Sequence, residues 1–236
     1  MHINKENYKK LLNNNINFIT IDGITCSGKT SFAKVLKKEL DRYFPNILIL
    51  SKDLFLYPRK KRINITKKLK NIKSKNQNFL HYDDKKLKTL LNFIVNKSTK
   101  KELILKNLYN RKSGKNDYEF KYKYSMKKLI ILEGIYVNED IKHLNKSILR
   151  ILLINDVYNS LSKKIKRIRD KKISIQLLIA EFINIHLNSY RNYLLNKNYD
   201  LFFKYKDNKF SKNKNGKKAQ LKDISIFLDK HAVNGK

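Results

Sequence analysis

The strongest constraint on this chain is an eight-residue segment, residues 23–30, that matches the P-loop pattern G-x-x-x-x-G-K-[ST] as GITCSGKT. A β-branched apolar run at 18–22 precedes it, and apolar side chains recur on one helical face at 30–43. This context predicts a strand, a tight loop and a helix whose first backbone N–H groups point at an anion. The segment therefore predicts that the chain binds a nucleoside triphosphate.

Each position of the loop has an expected part in that binding. The two glycines allow the backbone conformations of a tight loop, and Lys29 is placed to neutralise β- and γ-phosphate oxygens. The Thr30 hydroxyl is placed to ligate Mg²⁺, which prefers oxygen. The predicted nucleotide contacts are Gly23, Ile24, Thr25, Cys26, Ser27, Gly28, Lys29 and Thr30. The sequence contains neither the D-x-x-G nor the N-K-x-D motif, which argues against a GTPase.

Short apolar runs predict the strands of a parallel sheet. They lie at 18–22, 47–50, 129–132, 148–154 and 201–205. Amphipathic stretches between them predict helices, and this alternation indicates βαβ units. We therefore predict an α/β P-loop NTPase fold, with a mostly parallel five-stranded sheet flanked by helices. Ligands are expected beyond the carboxyl ends of the strands. The basic segment 58–78 shows no clear period and is predicted to be a loop.

Two carboxylates follow predicted strands at that edge of the sheet. Asp53 comes shortly after the second strand, where it could accept a hydroxyl proton during phosphoryl transfer or cap a helix. Glu133 directly follows the third strand, in the Walker B position. From there it is predicted to hold Mg²⁺ directly or through water.

In these segments the chain resembles the uridine kinase/phosphoribulokinase superfamily of P-loop small-molecule kinases. The 23–30 loop matches the nucleotide loop of that family, and residues 132–135 (LEGI) match its L-E-G-I segment. Residues 51–55 (SKDLF) are similar to its S-x-D-x-F segment, and 161–172 (LSKKIKRIRDKK) to its R-R-x-x-R-D lid helix. Residues 198–201 (NYDL) resemble its Y-A-D-L segment, so the matches occur in order over residues 18–205.

The resemblance implies an ATP- and Mg²⁺-dependent phosphotransferase that acts on a hydroxyl of uridine or a related nucleoside. It implies that Asp53 is the catalytic base and that Lys29, Arg167 and Arg169 contact the phosphates, with Asp170 positioning the lid. It also implies a kinase domain at 1–205 with a helical lid near 157–172. Residues 206–236 are then a basic C-terminal extension, in which 224–228 is an added edge strand or a short helix.

The acceptor side departs from the family at two positions. Residues 78–83 (NFLHYD) resemble the family's N-F-D-H-P-D run, but Leu80 stands where that family has a ribose-binding carboxylate. Gly114 falls near the position of the family's His. Because lost polar partners change discrimination strongly, the acceptor stays open between a nucleoside and pantothenate, a sugar or glycerate. The candidate acceptor contacts are Phe55, Arg59, Arg62, His81, Tyr109 and Tyr136.

The net charge of the chain suggests a second class of function, nucleic-acid binding. The chain has 54 Lys and Arg against 20 Asp and Glu, a formal charge of +34, and such an excess is typical of nucleic-acid-binding proteins. However, 46 of these residues are lysines, accompanied by many Asn and Ile, as in proteins from AT-rich genomes. We favour this compositional explanation, and a degenerate P-loop protein that binds RNA through its lysines stays the alternative.

Location and assembly are constrained less strongly. No apolar run reaches the ~20 residues of a membrane span, and the first 15 residues hold no apolar signal segment. A single cysteine fits a reducing compartment, so a cytoplasmic protein without membrane contact is predicted. Members of the resembled family form dimers and tetramers, which leaves a homo-oligomer open.

Overall fold

The computed structural model describes residues 16–69, 80–96, 101–124, 128–144, 147–167, 175–206 and 209–232. The strands of these residues, in chain order, are β1 (Ile16–Asp22), β2 (Ile47–Ser51), β3 (Glu102–Leu108), β4 (Tyr118–Lys123), β5 (Lys128–Glu133), β6 (Ile148–Ile154), β7 (Leu201–Lys206) and β8 (Lys209–Lys212). Strands β3 and β4 form a separate antiparallel pair.

The other strands form one sheet in the order β2-β5-β1-β6-β7-β8. Within this sheet the pairs β2–β5, β5–β1, β1–β6 and β6–β7 are parallel, and β8 pairs antiparallel with β7. The predicted α/β fold with a mostly parallel sheet is therefore confirmed. The sheet has one strand more than the five predicted, because β8 lies in a polar stretch that carries a single apolar residue, Phe210. That ring packs against Phe32, with the ring centroids 4.7 Å apart.

Helices cover both faces of the sheet. They are α1 (Lys29–Leu40), α2 (Arg59–Leu69), α3 (Asp84–Val95), α4 (Val137–Asp140), α5 (Val157–Lys166), α6 (Ile175–Glu181), α7 (Asn188–Leu195) and α8 (Gly216–Ala232). A 3₁₀ turn (Lys52–Phe55) follows β2, and a π-helical segment (Phe182–Leu187) joins α6 to α7.

The alternation of side chains along β1 explains the two cores. Ile19 and Ile21 are buried on one face against the apolar stripe of α1, which includes Phe32 and Leu36. Phe18 points to the opposite face and packs with α3, whose buried residues are Leu87, Leu90, Leu91 and Ile94. Their spacing of three and four residues places all four on one face of the helix.

Two segments differ from their predicted structure. Residues 59–69 form helix α2 rather than a loop, and the Pro58 carbonyl accepts the hydrogen bond from the Arg62 N–H that starts it. The apolar residues of this stretch show no helical period, so the sequence pattern gave no sign of a helix. Lys and Arg favour helices and no Gly or Pro interrupts the stretch, so helix propensity accounts for the structure. Residues 70–78, the rest of the predicted loop, lie outside the described residues. The stretch 224–228 belongs to α8, which buries Ile224 and Phe227.

Candidate active site

The phosphate loop connects the end of β1 to the start of α1. Gly28 has a φ of 93°, a left-handed conformation that suits glycine, and its carbonyl accepts the first helical hydrogen bond, from the Phe32 N–H at 2.9 Å. At Gly23 the neighbouring strand approaches closely, because a Cβ there would lie 2.6 Å from the Leu153 carbonyl oxygen. Both glycines of the motif are therefore required by the local backbone.

Lys29 is folded back over this loop. Its Nζ donates to the carbonyl oxygens of Gly23 at 3.0 Å and Ile24 at 2.8 Å. Burial lowers the pKa of Lys29, and the charges of Glu133 and Asp53 oppose that shift. The ammonium group is thus held at the loop by uncharged acceptors, in a position where phosphate oxygens could replace them.

Thr30 and Glu133 meet beside the loop. The Thr30 hydroxyl donates to Glu133 Oε1 at 2.9 Å, across 103 residues of sequence. Burial and then the nearby charge of Asp53 raise the pKa of Glu133. The pair offers a hydroxyl and a carboxylate oxygen, the donors that Mg²⁺ prefers, so these residues fit the cation that the P-loop implies.

Asp53 lies in the 3₁₀ turn that follows β2. Ser51 is paired with Glu133 in the register of β2 and β5, so Asp53 follows β2 beside the end of β5, the strand that ends at Glu133. The N-cap of the turn is Ser51, so Asp53 is not a capping residue there. Its carboxylate forms an ion pair with the guanidinium of Arg111, a contact that the sequence analysis did not predict.

Several of the acceptor candidates lie around Asp53. Arg62 Nε donates to the Tyr57 carbonyl at 2.8 Å, and its Nη2 donates to the Tyr109 hydroxyl at 3.0 Å. The Tyr109 N–H donates to the Leu54 carbonyl at 2.8 Å, and the Arg59 N–H donates to that of Gly114 at 3.4 Å. The chain around residues 109–114 is therefore tied to the turn that carries Asp53 and to the start of α2.

The remaining candidates are less accessible. Phe55 is buried in the apolar cluster of α3 and β3. His81 is 5% exposed, and burial lowers its pKa to about 4. Tyr136 is buried too, and it lines a cavity of about 750 Å³ between α3 and α7 that Asp53 does not line. Leu80, in contrast, is 50% exposed.

The predicted lid is described only in part. Helix α5 covers the first part of the range 157–172, and Arg167 follows its last residue. The Arg167 Nη1 lies 3.5 Å from Cys26 Sγ, which brings the guanidinium to the phosphate loop. Arg169 and Asp170 lie outside the described residues.

No family model and no curated protein matches the sequence. Solved structures do share its fold. A protein described as a possible uridine kinase from Bacillus stearothermophilus matches with a TM-score of 0.53 and 18% identity, over 78% of this chain and 86% of that chain. The YGR205w protein matches with a TM-score of 0.55 and 16% identity, over 89% and 93%. A candidate fructose transport system kinase from Silicibacter sp. TM1040 matches with a TM-score of 0.51 and 16% identity, over 74% and 82%.

The chain therefore has an α/β P-loop fold. These matches show that it shares this fold with the three solved structures, two of which are described as kinases. No helix in the described part of the chain combines the length and the hydropathy that crossing a bilayer requires.

A buried carboxylate lies at the start of the phosphate loop, and the sequence alone indicated no role for it. Asp22, the last residue of β1, is fully buried. It accepts five hydrogen bonds, from the backbone N–H groups of Gly23 and Tyr136 and from the hydroxyls of Tyr190, Tyr193 and Tyr199. The sequence shows only that an acidic residue ends an otherwise apolar strand. Its tyrosine partners are more than 110 residues away along the chain, so no local pattern connects them with Asp22.

Proposed function

We propose that this chain is an ATP-dependent kinase that transfers the γ-phosphoryl group to a hydroxyl of a small molecule. The observation that carries the proposal is the convergence of a P-loop, a hydroxyl–carboxylate pair and a second carboxylate at neighbouring strand ends. Thr30 lies 2.9 Å from Glu133, and the strands that lead to Glu133 and Asp53 are adjacent in the sheet. The fold shared with proteins described as kinases is consistent with this arrangement.

The phosphate side performs binding and charge stabilisation. The loop N–H groups and Lys29 hold the triphosphate, and Thr30 and Glu133 would hold Mg²⁺. When bound, that cation offsets negative charge on the β- and γ-phosphates. Arg167, which already reaches Cys26 of the loop, supplies a guanidinium for the charge of the transferring phosphoryl group. Arg169 joins it by the resemblance of the lid segment.

The acceptor side performs the proton transfer. Asp53 accepts the proton of the acceptor hydroxyl, and the hydroxyl oxygen forms a bond to the γ-phosphorus. The bond between the γ-phosphorus and the oxygen that bridges the β- and γ-phosphates breaks, and ADP leaves. Positioning of the two reactants supplies much of the rate enhancement in such a step. By resemblance the acceptor is uridine or a related nucleoside, and pantothenate, a sugar or glycerate is the alternative.

An ADP-release assay with ATP and Mg²⁺ tests this proposal against nucleosides, pentose phosphates, pantothenate and glycerate. Asp53→Ala should lower kcat by about 10²-fold to 10⁴-fold and leave ATP binding nearly unchanged, because it removes only the general base. Lys29→Ala should weaken ATP binding by about 10-fold to 100-fold, since it removes charged hydrogen bonds to phosphate.

Lys34→Ala is the matched control, because Lys34 is an exposed lysine of α1, the helix that starts at Lys29. It should behave as the unmodified chain does. Full activity of Asp53→Ala with the preferred acceptor would contradict the assignment of Asp53 as the base.

A further inference from the structure

Three arginines lie on the acceptor side, and we call Arg59, Arg62 and Arg111 the acceptor arginines. Only eight of the 54 basic residues of the chain are arginines, so the abundance of lysine does not account for three of them at one place. Backbone hydrogen bonds join the segments that carry them: the Tyr109 N–H donates to the Leu54 carbonyl and the Arg59 N–H to that of Gly114. Arg62, Arg111 and Asp53 also lie within electrostatic range of one residue, Tyr82. A guanidinium can bind a carboxylate or phosphate through two parallel hydrogen bonds, which an ammonium cannot do.

Arg111 forms an ion pair with Asp53, the proposed catalytic base. Its Nη2 contacts Asp53 Oδ2, and its side chain is 60% exposed while that of Asp53 is 24% exposed. The charge of Asp53 raises the pKa of Arg111, and Glu133 acts in the same direction from farther away. The guanidinium covers Oδ2, so an acceptor hydroxyl cannot reach that oxygen while Arg111 is there. For Oδ2 of Asp53 to take a hydroxyl proton, Arg111 must move to another anion.

The guanidinium of Arg62 is oriented by hydrogen bonds to uncharged groups, so its charge is available to such an anion. Within the described residues it donates to uncharged oxygens, the Tyr57 carbonyl and the Tyr109 hydroxyl, and none of their carboxylates lies within ion-pair distance of it. These contacts fix its direction without neutralising its charge. By the resemblance, Leu80 and Gly114 stand where the family has a carboxylate and a histidine, so neither position supplies a polar side chain for a neutral acceptor.

We propose that the acceptor carries an anionic group, a phosphate or a carboxylate, in addition to the hydroxyl that is phosphorylated. This inference rests on the proposed kinase function. The anion binds Arg62 and Arg111 and draws Arg111 away from Asp53, so the binding of the correct acceptor releases the base. No proton moves in that exchange; the hydroxyl proton passes to Asp53 only in the following step. A neutral acceptor leaves the ion pair intact and reacts slowly.

Matched pairs of acceptors test the proposal in the ADP-release assay. The pairs are ribose and ribose 5-phosphate, glycerol and glycerate, and pantothenol and pantothenate. In the pair that reacts, the anionic member should have a kcat/KM at least about 10-fold higher than the neutral member, as expected for a charged hydrogen bond. The ribose pair reports a phosphate, and the other two pairs report a carboxylate. Equal or better reaction of the neutral members would overturn the proposal.

Arg111→Ala separates the proposed role from a structural one. The variant should raise the KM of the anionic member by about 10-fold to 100-fold, because a charged contact is lost. The kcat/KM of the neutral member should stay the same or rise, because Asp53 no longer has a guanidinium partner. An equal loss for both members would contradict the proposal. Arg42→Ala, at an exposed arginine, is the control and should leave both values unchanged.

Binding measurements distinguish the failure of this inference from that of the kinase proposal. If no acceptor promotes ADP release, the kinase proposal fails, and calorimetry with the same compounds tests the anion site by itself. Ribose 5-phosphate, glycerate or pantothenate should then bind the unmodified chain at least about 10-fold more tightly than Arg111→Ala. Equal binding to both proteins would overturn the anion site.

Discussion

At the scale of single residues, Asp22 determines how the phosphate loop begins. Its carboxylate accepts the Gly23 N–H at 2.7 Å and the Tyr136 N–H at 3.2 Å, so one side chain joins the ends of β1 and β5. Burial raises the pKa of Asp22, against the lowering effect of the hydrogen bonds from Tyr193 and Gly23. Such a group is costly to bury unless its acceptor atoms are satisfied, and here the surrounding donors satisfy both oxygens.

Asp22→Asn should therefore lower the free energy of unfolding by about 1–3 kcal/mol, because an amide NH₂ replaces one acceptor oxygen and faces hydroxyl donors. ATP binding should weaken as well, because Gly23 loses a charged acceptor. Urea denaturation and calorimetric titration with ATP check the two effects. Tyr199→Phe is the matched control: it removes one of the five donors, so it should cost about 1 kcal/mol. Unchanged stability of Asp22→Asn would exclude this role.

The predictability of the site follows from how local each signal is. Lys29, Thr30, Asp53 and Glu133 stand in short motifs at strand ends, and the structure brings their segments to one edge of the sheet. The Arg111–Asp53 pair joins residues 58 positions apart, and no short spacing encodes such a contact. The contacts of the three tyrosines with Asp22 could not be predicted either, because they too join residues far apart in the sequence. The roles assigned to these residues stay predictions.

At the scale of elements, helix α8 holds the loop between β6 and α5. Gln220 exchanges two hydrogen bonds with the backbone of Asn155, at 2.9 and 3.1 Å, and the Asp223 carboxylate accepts the Val157 N–H at 2.8 Å. The apolar signal of 224–228 was short enough for a strand, and the polar residues before it concealed a helix of 17 residues. The boundary predicted at 205 stays a prediction.

Gly216 lets α8 lie against the sheet. A Cβ at this position would lie 2.5 Å from the Phe202 Cβ and against the Ile154 side chain, and the Phe202 Cβ cannot move without its strand. Gly216→Ala should therefore lower the free energy of unfolding by about 1–3 kcal/mol, the usual range for overpacking, although alanine favours helices. Thermal and urea denaturation measure the change. Lys218→Ala, at an exposed position of the same helix, should change stability by less than about 0.5 kcal/mol.

At the scale of the whole molecule, a formal charge of +34 makes each further buried positive charge harder to accommodate. His81 lies where this matters, because charged groups of several elements surround it. Its neighbours in electrostatic range are His186 of the π-helical segment, Glu181 of α6, Arg62 of α2 and Lys164 of α5. Among these four described residues, Glu181 favours the charged imidazole and the other three oppose it.

Acid should therefore destabilise the fold through His81. Burial, followed by the effect of His186, lowers the pKa of His81 from 6.5 to about 4. Between these pH values the unfolded chain binds a proton that the folded chain does not bind, so stability falls as the pH falls through this window. The loss attributable to His81 is about 3 kcal/mol by pH 4. Burial raises the pKa of Glu181, but the hydrogen bond from His186 and the charge of Lys164 outweigh it and lower this pKa from 4.5 to about 2. The stabilising contribution of Glu181 is therefore lost between these two pH values, so it adds to the loss only at the acidic end of the His81 window.

Urea denaturation at pH 7, 6, 5 and 4 measures this dependence, and the comparison with His81→Gln isolates the contribution of one imidazole. The variant carries no titrating group at position 81, so its free energy of unfolding should fall less steeply between pH 6.5 and 4. His186, whose pKa burial also lowers, accounts for part of the slope that remains. Identical pH dependence in the two proteins would show that His81 is protonated as readily in the folded chain as in the unfolded one, contrary to its burial among cations.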